Sequence, residues 1–177
     1  ITLSSVLGAS ATDSIVFQSE SGDAALVRLE YSASSGNRHT VRYNGADYIS
    51  FKQITIKGLN SSYANVVRLD GNSIGAQFVN CIIEMPHVAN FNLKGISGSS
   101  STPQDLLVSN TRFNGGYSGI ELSGSQVSGV QVSGNTFYGQ YQYGVSLSSF
   151  ASPVVSGNIV TSTAGSYSGY YGFYLND

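Results

Sequence analysis

The sequence predicts an all-β solenoid: a right-handed parallel β-helix of about six coils with little or no helix. Three observations lead there. Two independent sets of apolar anchors recur with one period of about 26 residues. Within each anchored run apolar and polar residues alternate, as a strand with one buried face requires. Gly, Ser and Asn gather between the runs, where tight corners are needed.

The first anchor set consists of segments 40–43, 66–69, 90–93, 119–122, 144–147 and 172–175. These close on Tyr43, Leu69, Leu93, Leu122, Leu147 and Leu175, at intervals of 26, 24, 29, 25 and 28. A second set follows, in which two apolar residues stand five apart: Phe51/Ile56, Phe78/Ile83, Val108/Phe113, Val132/Phe137 and Val155/Val160. A unit this short, with two or three strands and no helix, cannot bury its apolar face alone and must stack on its neighbours. A β-propeller is the competing architecture, but its repeats run to about 40 residues with four strands each. Ahead of Val41, segments 15–17 and 25–29 read as different faces of a first coil, because Leu29 to Tyr43 is too short for a full turn. Segment 95–103 reads as an irregular, mobile loop leaving the solenoid. No composition break marks a second domain, so residues 1–177 are expected to form one unit, a mature or excised piece.

A polar ladder runs beside the second anchors. Gln53, Asn80 and Asn110 lie two residues after theirs; Asn135 and Asn158 lie three after, as though Gly134 and Gly157 added a residue to the corner. Asn at a corner bonds its own backbone and the Asn of the next coil, which is a structural role.

Composition narrows the functions. Eight Lys and Arg stand against 10 Asp and Glu, a net charge of −2, and charged residues are 10% of the chain against roughly a quarter in an ordinary domain. No basic patch is large enough to neutralise a nucleic-acid backbone. The single Cys81 excludes a disulfide framework within the chain, and no apolar run reaches the length of a membrane span.

The repeats Val-Ser-Gly-Asn-Thr-Phe (132–137) and Val-Ser-Gly-Asn-Ile-Val (155–160), with the Gly-aliphatic-x-Leu segments, resemble parallel β-helix repeats of the pectate-lyase-like superfamily over about residues 40–177. Segment 17–23 followed by 44–52 is similar to the large β-helical surface and secreted proteins of Bacteroidota-type bacteria, often exported by the type IX route. The resemblance implies an extracellular or cell-surface location and a multi-domain parent; it carries no activity, since one fold hosts many functions.

Outward positions of neighbouring strands are where a β-helix can mount chemistry. Flanking the strand-closing residues are Arg42, Arg68 with Asp70, Lys94, and Glu121. Under a polysaccharide lyase or hydrolase reading, Arg42 or Arg68 supplies the base, while Asp70 and Glu121 hold calcium and an acidic sugar. Two carboxylates are few for calcium, and the same residues serve as a surface charge ladder; no other cofactor and no metal site is expected. His39 in a polar turn and His87 after Pro86 lack partners at metal-ligand spacing, and Cys81 reads as an inert buried thiol. Tyrosine is the unusual residue: eight of 12 lie after residue 116. Tyr117, Tyr143 and Tyr171 are expected to stack at one corner, with Tyr174 nearby, as a row suited to sugar rings or a protein surface. The leading expectation is therefore a non-catalytic surface or adhesive module, self-associating end to end into a filament or stalk, with weak glycan binding. Its expected partners are copies of itself, neighbouring domains of the parent, and polysaccharide. The enzyme is the alternative.

Overall fold

The computed structural model describes residues 1–98, 103–163, 165 and 167–176. Strand β1 (Thr2–Ser4) opens the chain, and laps of three strands follow. These are β2 (Ile15–Gln18), β3 (Arg28–Tyr31) and β4 (His39–Asn44); then β5 (Ile49–Lys52), β6 (Thr55–Gly58) and β7 (Ala64–Asp70). Next come β8 (Gln77–Val79), β9 (Ile82–Glu84) and β10 (Leu93–Gly98), then β11 (Leu107–Ser109), β12 (Arg112–Asn114) and β13 (Ser118–Val127). The last are β14 (Gln131–Ser133), β15 (Thr136–Tyr138) and β16 (Tyr143–Phe150), then β17 (Val154–Ser156), β18 (Ile159–Thr161) and β19 (Tyr171–Asn176). No helix occurs among the described residues. Each lap crosses three parallel sheets, of seven, six and six strands, in which every strand pairs with its counterpart one lap away. The expected solenoid of about six coils is close to what is observed.

The second anchor set lies as read. Phe17, Phe51, Phe78, Val108, Val132 and Val155 form one inward column, and Leu29, Ile56, Ile83, Phe113, Phe137 and Val160 another. Sizes compensate between them. Where the first column carries Phe51 and Phe78 the second carries isoleucine; where the first carries Val108 and Val132 the second carries Phe113 and Phe137. These four laps therefore fill a similar cross-section, and the last lap has valine in both columns, Val155 and Val160. The rings stack: Phe51 on Phe78 at 6.0 Å and Phe113 on Phe137 at 4.7 Å between centroids.

The first set needs one correction. Leu93 pairs with Ala64, and the true counterpart of Val67 and Ile120 is Ile96. Gly98 stands opposite Leu122. Glycine supplies no large residue to mark that column, so the nearest leucine misleads. Phe91, read as inward, is 67% exposed, and segment 95–98, read as the start of a loop, belongs to strand β10. Of the rest of that expected loop, 99–102 lie outside the described residues and only Pro103 is described. Gly95 belongs to a column continued by Gly119, Gly144 and Gly172; a Cβ on Gly119 would meet Phe137 at 2.5 Å. The sheet passes too close to the core rings there to admit a side chain.

The ladder is two columns, not one. Gln53, Asn80, Asn110, Gly134 and Gly157 occupy one corner position, all with φ between 49° and 66°. No residue is added at Gly134 or Gly157: glycine takes over the left-handed position from asparagine. Asn135 and Asn158 stand one place later, in the same buried column as Cys81 and Thr111. There each side chain ties two laps. Cys81 Sγ donates to Phe51 O at 3.3 Å, Thr111 Oγ1 to Phe78 O at 3.3 Å, Asn135 Nδ2 to Val108 O at 2.9 Å, and Asn158 Nδ2 to Val132 O at 2.8 Å. In return the Thr111 N–H donates to Asn135 Oδ1 at 2.9 Å. Cys81 is thus a buried thiol with a structural bond, and burial pushes its pKa up.

Candidate functional site on the seven-stranded sheet

Parallel register turns sequence positions into rows along the solenoid axis, with neighbours about 4.8 Å apart. On the outer face of the seven-stranded sheet one row contains Arg42, Arg68, Ser97, Glu121, Ser146 and Tyr174. A flanking row contains His39, Asn65, Lys94, Ser118, Tyr143 and Tyr171. Asn44 and Asp70 begin a third, in which Ser123, Ser148 and Asn176 lie further along. Lys94 therefore sits in the flanking row rather than beside the strand-closing residues, a consequence of the register corrected above. His39 begins β4 and faces this surface; it is not in a turn.

A groove of about 520 Å³ runs over this face from β4 to β16. Four of the chain's eight basic residues line it (Arg38, Arg42, Arg68 and Lys94), against two acids, Asp70 and Glu121. The groove thus carries two excess positive charges in a chain whose net charge is −2. Asp70 accepts from Nε of Arg42 and of Arg68, each at 2.7 Å. Burial raises the Asp70 carboxyl, but the hydrogen bonds and charges of Arg68 and Arg42 outweigh it and hold the pKa below the ordinary value. Glu121 bridges Lys94 and the Ser118 hydroxyl, which donates at 2.7 Å. Burial, then the charge of Arg42, lowers His39 below its ordinary 6.5, so it is neutral at physiological pH. Arg38 lies over Tyr63 at 5.1 Å. The candidates Arg42, Arg68, Asp70 and Glu121 therefore share one groove, as two separate ion clusters. Among the described residues no group of three or more His, Cys, Asp or Glu is placed to hold a metal ion.

The tyrosines continue the surface beyond Ser118 and Ser146, but in two stacks. Tyr143 and Tyr171 stack at 5.7 Å, and Tyr174 packs on both, at 5.8 and 5.5 Å. Tyr117 is not in that row, because Ser118 holds the matching position; it stacks instead on Tyr141 at 5.6 Å, which stacks on Tyr167 at 5.9 Å. Tyr141 and Tyr167 escape a reading keyed to strand starts, since they precede the strands. Burial, then Glu121, raises the phenol pKa of Tyr143, which stays a protonated donor. His87 lies away from this face, edge-on to Tyr138 at 6.2 Å.

A parallel solenoid with a charged groove on its widest sheet, and a tyrosine stack further along the same sheet, is the class that fold and surface define. The chain belongs to the right-handed beta helix region family, whose model matches residues 65–177. Comparison with curated proteins and with solved structures returns no match. Among the described residues no helix is long and apolar enough to cross a membrane.

Proposed function

We propose that this protein is a non-catalytic, extracellular β-helical module whose seven-stranded face holds a glycan chain along the solenoid axis. The observation that carries the reading is the register that sets Tyr143 one strand from Ser118 and Tyr174 one strand from Ser146, next to the groove. Small hydroxyl residues, Ser97, Ser146 and Ser148, line the groove, and register carries Ser146 on to Tyr174. Flat rings with protonated hydroxyls beside a serine-lined trough suit the apolar faces and hydroxyl edges of sugars. Low charge and a Gly-, Ser- and Asn-rich surface fit a secreted solenoid.

The lyase or hydrolase alternative asks more of these residues than their contacts leave. Arginine stays protonated and makes a poor base. Asp70 is shared by two guanidinium groups, and Glu121 is held by Lys94 and Ser118. Retention on immobilised glycans of graded composition tests the reading, with Tyr143→Ala and Tyr174→Ala as the variants. Retention of at least one glycan, weakened by either variant at unchanged melting temperature, is expected. Failure to retain any glycan, or variants that only destabilise the fold, contradicts it.

A further inference from the structure

The groove is electrically one-sided. Every Lys and Arg in the chain stands at or before residue 112, and residues 122–176 contain no charged side chain at all. Winding the chain into a solenoid converts this asymmetry in sequence into a gradient along the axis. At one end Arg42 and Arg68 stand next to each other in one row, with Arg38 and Lys94 beside them in the same groove. Asp70 engages the Nε side of both row arginines. At the other end β16 and β19 are free of charge and carry Tyr143, Tyr171 and Tyr174. The Lys94–Glu121 pair, self-neutralised, lies between them.

We infer that the groove is bipartite and directional: its ligand is a heteroglycan that sets an acidic unit against Arg42 and Arg68 and neutral sugar rings against Tyr143, Tyr171 and Tyr174. This rests on the glycan reading above and names the ligand class within it. From β7 to β16 is three strand spacings, about 14 Å, and to β19 about 19 Å. An extended pyranose chain advances by nearly one strand spacing per sugar, so about five sugars laid from β7 to β19 meet one lap each. Guanidinium pairs recognise the planar carboxylate of a uronate or a sulfate ester by charge-assisted hydrogen bonds. The tyrosine end offers such a group no countercharge, and phenols stacked near Glu121 favour uncharged rings. A chain acidic throughout satisfies one end and burdens the other; a neutral chain does the reverse.

Titration calorimetry of the unaltered protein with three probes tests this. They are a mixed oligosaccharide in which one terminal uronate, alternating in charge with the uncharged remainder, precedes neutral N-acetylhexosamines (the alternating probe), a neutral chitin oligosaccharide and an oligogalacturonate, all of matched length. The alternating probe is expected to bind about tenfold more tightly than either other probe at low salt. Raising ionic strength to roughly 0.5 M is expected to bring it down to the level of the neutral probe, because only the basic end is screened. Arg42→Gln/Arg68→Gln should reproduce that loss at low salt, whereas Tyr174→Ala should weaken the neutral and alternating probes together. A sulfated neutral oligosaccharide in a fourth arm separates sulfate from carboxylate recognition. Equal binding of neutral and alternating probes, tightest binding of the oligogalacturonate, or binding indifferent to salt overturns the bipartite assignment and leaves the glycan reading standing. No binding of any probe overturns both. The salt series uses the native chain, so the outcome does not depend on the arginine variant folding.

Discussion

Asn135 concentrates the inter-lap bonding in one side chain. Its surface is fully buried, its Oδ1 accepts the Thr111 N–H, and its Nδ2 donates to Val108 O and Asn158 Oδ1. Asn135→Ala leaves a buried amide and a buried carbonyl without these partners, at a cost of about 2–4 kcal/mol in chemical unfolding. A loss below about 0.5 kcal/mol would show that the column merely fills space. Asp70 makes a prediction with a definite pH sign. Because its folded pKa lies below the ordinary carboxylate value, its contribution is present above that value and is lost as pH falls through the folded one. Asp70→Asn should therefore lower the melting temperature at pH ~7 and converge with the unaltered protein as the pH falls through the folded pKa. Curves that stay equally separated throughout an acid titration would contradict the arginine-held carboxylate.

At the scale of the element, legibility followed whether a column is marked by large residues. Every strand of the two six-stranded sheets in the last five laps carries Phe, Ile or Val at its inward position, and those columns are evident without coordinates. The seven-stranded sheet loses its marker at Gly98, so β10 reads five residues early, and Lys94 is displaced with it. The corner asparagines separate into two columns only when φ is known, since glycine and asparagine exchange the left-handed position between laps. Rows of side chains from different laps, including the stack of Tyr117, Tyr141 and Tyr167, depend on register and on how the chain enters each strand; periodicity alone fixes neither. The corrected register is testable by a pair of substitutions. Ile96→Ala should cost about 2–4 kcal/mol, as for a buried isoleucine, while Phe91→Ser should change stability by less than about 0.5 kcal/mol. The reverse order would place Phe91 in the core and Ile96 outside it.

For the whole molecule, the three sheets end in edge strands at both poles of the described chain. Phe17 is stacked on Phe51 on one side and 43% exposed, and Val154, Ile159 and Leu175 are exposed at the opposite pole. Exposed apolar edge strands of this kind are open to pairing with another copy of the chain. This 177-residue chain is accordingly expected to associate as its concentration rises, and Phe17→Glu to reduce that; light scattering that stays monomeric throughout would contradict it.

The groove is the claim on which the functional account depends, and its content is binding without bond breakage. Incubation of the protein with an alternating acidic polysaccharide, with and without calcium, reads both halves at once: retention of the polymer, and the appearance of new reducing or unsaturated ends. A retained polymer of unchanged length is expected. A shortened polymer with new ends, or one that is never retained, would contradict it.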